Sequence, residues 1–141
     1  MVGVVKTLHT AYRVSDLAVS LEFYTALGYG QVGRVDLGDG ATLTMLKFPD
    51  EEMVTLELVH RPADGPVDLG TGFSHLPIQV DNLTDTIEAL TRAGVEPGPV
   101  ELPGGKEGPQ ISWITDPDGY PIELVQWPPG HADGLTPADF A

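Results

Sequence analysis

Four side chains stand at positions where they can do chemistry together. His9 recurs as His75 and Glu57 recurs as Glu123, each 66 residues further along the chain. Imidazole nitrogen and carboxylate oxygen are ligands for Zn, Ni, Co, Fe or Mn. Cysteine is absent, which excludes thiolate metal sites, a disulfide framework and a cysteine nucleophile. Both glutamates interrupt apolar runs, TLELV and PIELV. On a strand, Glu57 shares a face with Thr55 and Val59, and Glu123 with Pro121 and Val125. A carboxylate on an enclosed face costs on the order of several kcal/mol unless it is paired or bound to a cation. Taken singly, a strand histidine is an ordinary polar or core residue, and such a glutamate simply faces solvent on a half-exposed sheet. Equal spacing in both halves is what these ordinary readings do not produce. Two imidazoles and two carboxylates related by a pseudo-two-fold axis are a donor set for one divalent metal. His60 and His131 lack such partners and read as surface residues.

The elements that must position the four residues repeat at the same offset. LHTAYRVSDLAVSLEFYTALGY (8–29) aligns without a gap on SHLPIQVDNLTDTIEALTRAGV (74–95). Val5–Val14 and Phe73–Val80 read as first strands carrying His9 and His75. Ser15-Asp16 and Asp81-Asn82 are helix starts, followed by Leu17, Leu21 and Tyr24 in one half and Leu83, Ile87 and Leu90 in the other. Gly28 and Gly94 are helix stops. In the first half, Gln31–Leu37 turns at GDG into Ala41–Phe48, and PDEE leads to Met53–His60. In the second, the expected strands are Val95–Leu102, Gln110–Thr115 and Tyr120–Trp127, with the loop PGGKEGP and the turn DPDG between them. Each half is therefore expected to be strand, helix and three strands. The expected organisation is one domain, 1–141, made of module 5–61, linker 62–72 and module 73–127, with a short, poorly ordered tail 128–141.

Composition narrows the partners. The 141 residues hold 41% apolar residues, enough for one core. The formal charge of −14 repels phosphate backbones and anionic lipid, so neither nucleic acid nor a membrane surface is an expected partner. No apolar run approaches membrane-spanning length, and no basic-then-apolar leader opens the chain. The expected compartment is the cytoplasm.

The stretches LHTAYRVSDLAVSLEFYTALGY, LELVH, GFSHLPIQVDN and DPDGYPIELVQ together resemble glyoxalase I of the vicinal oxygen chelate superfamily, over roughly residues 7 to 127. That resemblance implies an α+β fold in which paired βαβββ modules form an open, eight-stranded barrel-like sheet around a metal. It implies His9, Glu57, His75 and Glu123 as ligands of one divalent ion, Ni, Zn or Co. The implied reaction is a lyase reaction that converts the hemithioacetal of methylglyoxal and a low-molecular-weight thiol, glutathione or another, to a lactoyl thioester. Glu123 is the implied proton-transferring base and Glu57 its counterpart. Arg13, four residues after His9 and on the same strand face, matches the family's thiol-carboxylate contact. Lys106, in PGGKEGP, is either a lid over an anionic substrate or a plain loop lysine. Arg61 stands where the family often has Asn, and Thr71 where it often has Arg; these positions help to hold glutathione. Open sheet edges make a homodimer the expected assembly.

Two other readings compete. Other enzymes of the superfamily include epimerases and dioxygenases, but a dioxygenase site takes two His and one Glu, and Glu57 is one carboxylate too many. Metal-free binding proteins of the drug-resistance kind usually lose the ligands, and all four are present here.

Overall fold

The computed structural model describes residues 3–141; Met1 and Val2, the first two residues of the expected domain, lie outside them. The chain separates into two compact units, Met1–Asp68 and Leu69–Ala141. Unit 1 runs β1 (Thr10–Arg13), α1 (Leu17–Leu27), β2 (Gly30–Gly38), β3 (Ala41–Lys47) and β4 (Leu56–His60). Its four-stranded sheet has the order β1-β4-β3-β2, with β1 parallel to β4 and the other pairs antiparallel. Unit 2 runs β5 (Leu76–Gln79), α2 (Leu83–Arg92), β6 (Gln110–Thr115) and β7 (Pro121–Gln126). Its sheet has the order β5-β7-β6, with β5 parallel to β7. The architecture is α+β with paired modules. In each, the first strand lies parallel to the last, which requires everything between them to act as the crossover.

The parallel ladders repeat residue for residue. Thr10 pairs with Leu56 and Ala11 with Glu57; Leu76 pairs with Ile122 and Pro77 with Glu123. Alternation then does the sorting. Leu56 and Leu58 are wholly buried, as are Ile122 and Leu124, whereas Glu57 and Glu123 between them face the other way and are half-buried. Burying each such leucine or isoleucine contributes about 1.5–3 kcal/mol, so a one-residue slip is strongly opposed.

The helix starts follow from their caps. Asp16 Oδ1 accepts from the Val19 N–H at 3.2 Å, and Asn82 Oδ1 accepts from the Asp85 N–H at 2.9 Å. Such a cap contributes about 1 kcal/mol. Gly28 closes α1 at φ 120°, and Gly94 follows α2 at φ 88°. Tyr24 and Ser20 are the buried positions of α1, while Leu17 and Leu21 are half-buried. The β2–β3 hairpin turns at Asp39-Gly40, both at positive φ (53° and 77°), the conformation a two-residue hairpin loop demands.

Three expectations change. First, β1 begins at Thr10 and β5 at Leu76, so His9 and His75 each stand immediately before a strand and not on it. Strand β1 has only β4 to pair with, and β4 starts at Leu56. The residues before Leu56 are held in a turn, where Glu51 Oε1 accepts from the Phe48 N–H and the Thr55 hydroxyl, both at 2.8 Å. Second, Val95–Leu102 is not a strand. It keeps one bridge, Glu101 to Ile111, so the described residues form seven strands in sheets of four and three and the eighth is vestigial. Pro97, Pro99 and Pro103 have no N–H to give a ladder. Third, the tail is anchored. The Trp127 indole N–H and the Gly134 N–H both donate to Gln79 Oε1, at 2.6 and 2.7 Å, and Gln79 Nε2 donates to Asp133 at 2.9 Å. The tail ends in a short 3-10 helix, Pro137–Phe140.

Candidate metal centre

Each unit delivers one imidazole to one carboxylate. In unit 1, His9 Nε2 lies 2.8 Å from Glu57 Oε1, with both side chains mostly enclosed (14% and 16% exposed). In unit 2, His75 Nε2 lies 3.5 Å from Glu123 Oε1, and the pair is somewhat more open (33% and 21%). The parallel register explains both contacts. The histidine sits two residues before Ala11 or Pro77, the residue beside the glutamate, so both side chains leave the same face.

The surroundings of the two histidines differ. His75 Nδ1 lies 2.8 Å from Ser74 Oγ, and the ring meets Trp113 edge to face, with centroids 5.1 Å apart and planes at 74°. Trp113 is the antiparallel partner of Glu123; Met45 is that of Glu57. Sequence reasoning missed both Ser74 and Trp113. Their signal was present: a hydroxyl next to His75, and an aromatic residue in the strand opposite the Glu123 strand.

The donors suit a divalent ion. Two cis ligands each about 2.1 Å from a metal lie about 3.0–3.4 Å apart in octahedral or tetrahedral arrangements, and the two His–Glu spacings bracket that range. Each pair combines imidazole with carboxylate and has no thiolate, the set for Zn, Ni or Co. Among the described residues, no group of three or more His, Asp or Glu gathers as a cation site.

The sequence-predicted cations are placed as follows. Arg13 follows Ala11 on the Glu57 face, and its Nη2 donates to the Gly65 carbonyl at 2.5 Å. Arg61 pairs with Asp64 at 3.5 Å, with both half exposed. Lys106 sits in the Pro103–Pro109 loop and lines a hollow of about 260 Å3 with Trp127 and Pro128. A larger hollow in unit 1, about 570 Å3, is lined by Asp16, Leu21, Arg34, Thr42 and His60 and by none of the sequence-predicted residues. The DPDGY stretch proves to be a turn former. Buried Asp116 accepts from the N–H groups of Asp118 and Tyr120 at 2.9 and 2.8 Å, with Gly119 at φ 96°, and this fixes where β7 starts. His131 is not a bare surface residue either: it pairs with Asp139 at 2.6 Å and stacks on Trp127.

The fold agrees with that of the chain's relatives. Residues 6–124 match the Glyoxalase/Bleomycin resistance protein/Dioxygenase superfamily, and the chain belongs to that family. It is 38% identical over 128 residues to a probable lactoylglutathione lyase of Vibrio parahaemolyticus, covering 86% of this chain and 90% of that one. It is 36% identical over 129 residues to the lactoylglutathione lyase of Neisseria meningitidis, with coverage of 86% and 90%. Among solved structures, glyoxalase I from Zea mays superposes with a TM-score of 0.72 at 34% identity, over 86% of this chain and 44% of the maize chain.

Proposed function

We propose that the protein is a glyoxalase I-type lyase that converts the hemithioacetal of methylglyoxal and a low-molecular-weight thiol to a lactoyl thioester. The observation that carries this reading is the repeated pair: one imidazole and one carboxylate, in the same ladder register, in both modules. The relatives named lactoylglutathione lyase, similar along most of their length, support it.

In this reading His9, Glu57, His75 and Glu123 hold one divalent ion, Ni, Zn or Co, and modules 5–61 and 73–127 act as one domain. The ion, when bound, supplies Lewis-acid polarisation of the substrate's two vicinal oxygens. The chain's own residues do the rest. Isomerisation removes a proton from one carbon and returns one to its neighbour, so a carboxylate must take it and give it back. Glu123 is that group; its pair is looser and more exposed than that of Glu57, which leaves an oxygen free to move the proton. Glu57, tightly held by His9, stays a ligand and is the counterpart base. Arg13, Arg61 and Lys106 meet the anionic end of the thiol. The thiol adduct is the partner in this account, with neither nucleic acid nor membrane involved. The enzyme acts in the cytoplasm as a homodimer; β2, an edge strand with Val32, Val35 and Leu37 exposed, offers surface for that association.

The test is direct. Protein loaded with Ni, Co or Zn is mixed with methylglyoxal and each of a panel of thiols, and thioester formation is followed by ultraviolet absorbance. Thioester from at least one thiol is expected. Silence across the panel with all three metals overturns the reading.

A further inference from the structure

The two histidines of the proposed centre are not equivalent, and the difference lies one residue upstream. The residue before His75 is Ser74, whose Oγ is 2.8 Å from His75 Nδ1. The residue before His9 is Leu8, exposed and without a hydroxyl. His9 is instead held by its tight 2.8 Å contact with Glu57, whereas His75 lies 3.5 Å from Glu123. The looser imidazole is thus the one with a hydrogen-bonding neighbour of its own.

We propose that Ser74 is a positioning residue: its hydroxyl holds the His75 ring so that Nε2 is the nitrogen presented to a metal ion. The inference rests on the metal-centre reading above. The chemistry is specific to a hydroxyl. With Nε2 carrying the hydrogen toward Glu123, Nδ1 has a lone pair and accepts from the Ser74 O–H. With Nε2 giving its lone pair to an ion, Nδ1 carries the hydrogen and donates to the Ser74 oxygen. A serine hydroxyl rotates to serve either case, because it is both donor and acceptor. Trp113 meets the ring edge to face at 74° and limits its tilt, which leaves rotation about its own axis to Ser74. A ligating imidazole whose other nitrogen is engaged is oriented and more basic, and loss of such a partner lowers metal affinity about 10- to 100-fold. Ser74 is exposed, which places the effect near the lower figure.

The test measures metal dissociation constants on the full chain, using Co(II) and Zn(II) against a chromophoric chelator, for the wild type, Ser74→Ala, Ser74→Thr and His75→Ala. Ser74→Ala should weaken binding by about tenfold and alter the visible spectrum of the bound Co(II), with far-ultraviolet circular dichroism unchanged. Ser74→Thr, which keeps the hydroxyl, should restore both. His75→Ala should lose the site. Wild-type affinity and spectrum in Ser74→Ala, with the site lost in His75→Ala, overturns the role of Ser74 and leaves the metal centre standing. A wild-type protein that binds neither metal overturns both.

Discussion

His9 Nε2 and Glu57 Oε1 lie 2.8 Å apart although 48 residues separate them in the chain. His75 and Glu123 repeat the relationship across the second parallel ladder, at 3.5 Å. A parallel ladder brings the start of one module beside its end, and the strand period turns the carboxylate toward the imidazole and the leucines away.

The difference in tightness between the pairs predicts a difference between the glutamates. If Glu123 is the base proposed above, Glu123→Gln should lower kcat by about 100-fold or more, the usual worth of a positioned general base. In Glu57→Gln the loss should appear mainly as weakened metal binding, recovered in part by excess metal. Steady-state rates measured against metal concentration separate the two. Equal recovery of both variants would remove the assignment of Glu123 as the base.

The C-terminal segment should respond to pH. His131 Nδ1 donates to the Ala132 carbonyl and Nε2 to Asp139, and two acceptors require the doubly protonated ring. The Ala132 carbonyl, then Asp139, raises the His131 pKa above its ordinary 6.5; the Thr136 N–H, then His131, lowers that of Asp139 below 3.8. The histidine's contribution is complete below 6.5 and lost as pH rises through its raised value. The aspartate's is complete above 3.8 and lost as pH falls through its lowered value. Asp133, bound to Gln79, is the other charged group that fastens this segment. Amide exchange at Gly134 and Thr136, corrected for intrinsic pH dependence, should be most protected between 3.8 and 6.5 and less so at higher pH. In His131→Ala that dependence above 6.5 should vanish.

Lys106 sits in a loop that closes on itself. A Cβ at Gly108 would come within 3.3 Å of the Gly104 backbone, and Gly105 sits at φ 83°. Lys106→Ala should raise KM for an anionic thiol adduct roughly tenfold, the worth of one charge-assisted hydrogen bond, with kcat little changed. Gly108→Ala, which presses on the Gly104 backbone and shifts the loop by a few tenths of an ångström, should raise it too. Unchanged KM in both makes Lys106 a plain loop lysine.

Much of this was legible in the sequence, and the physics says why. Asp16 and Asn82 announce their helices because the side chain itself makes the capping bond. Strand β6 runs Gln110–Thr115, as its apolar pattern predicts, and the hairpin turn was readable because Asp39-Gly40 must adopt positive φ. Val95–Leu102 misled because its apolar residues suit a strand while its prolines deny it a ladder. The tail reads as loose because its anchors are long-range: Gln79 reaches it across 54 and 55 residues, and no local pattern shows that. In the candidate site, the two histidines and two glutamates were visible through their repeated spacing. Ser74 and Trp113 were not, since neither has a counterpart of its own type at the equivalent place in the first half.

The most direct test of the account is the metal stoichiometry of the purified, metal-loaded chain, compared with His9→Ala, Glu57→Ala, His75→Ala and Glu123→Ala. The account predicts about one divalent ion per set of four ligands, with a marked loss of affinity in each variant from either half. Full metal content retained in both His75→Ala and Glu123→Ala would contradict it.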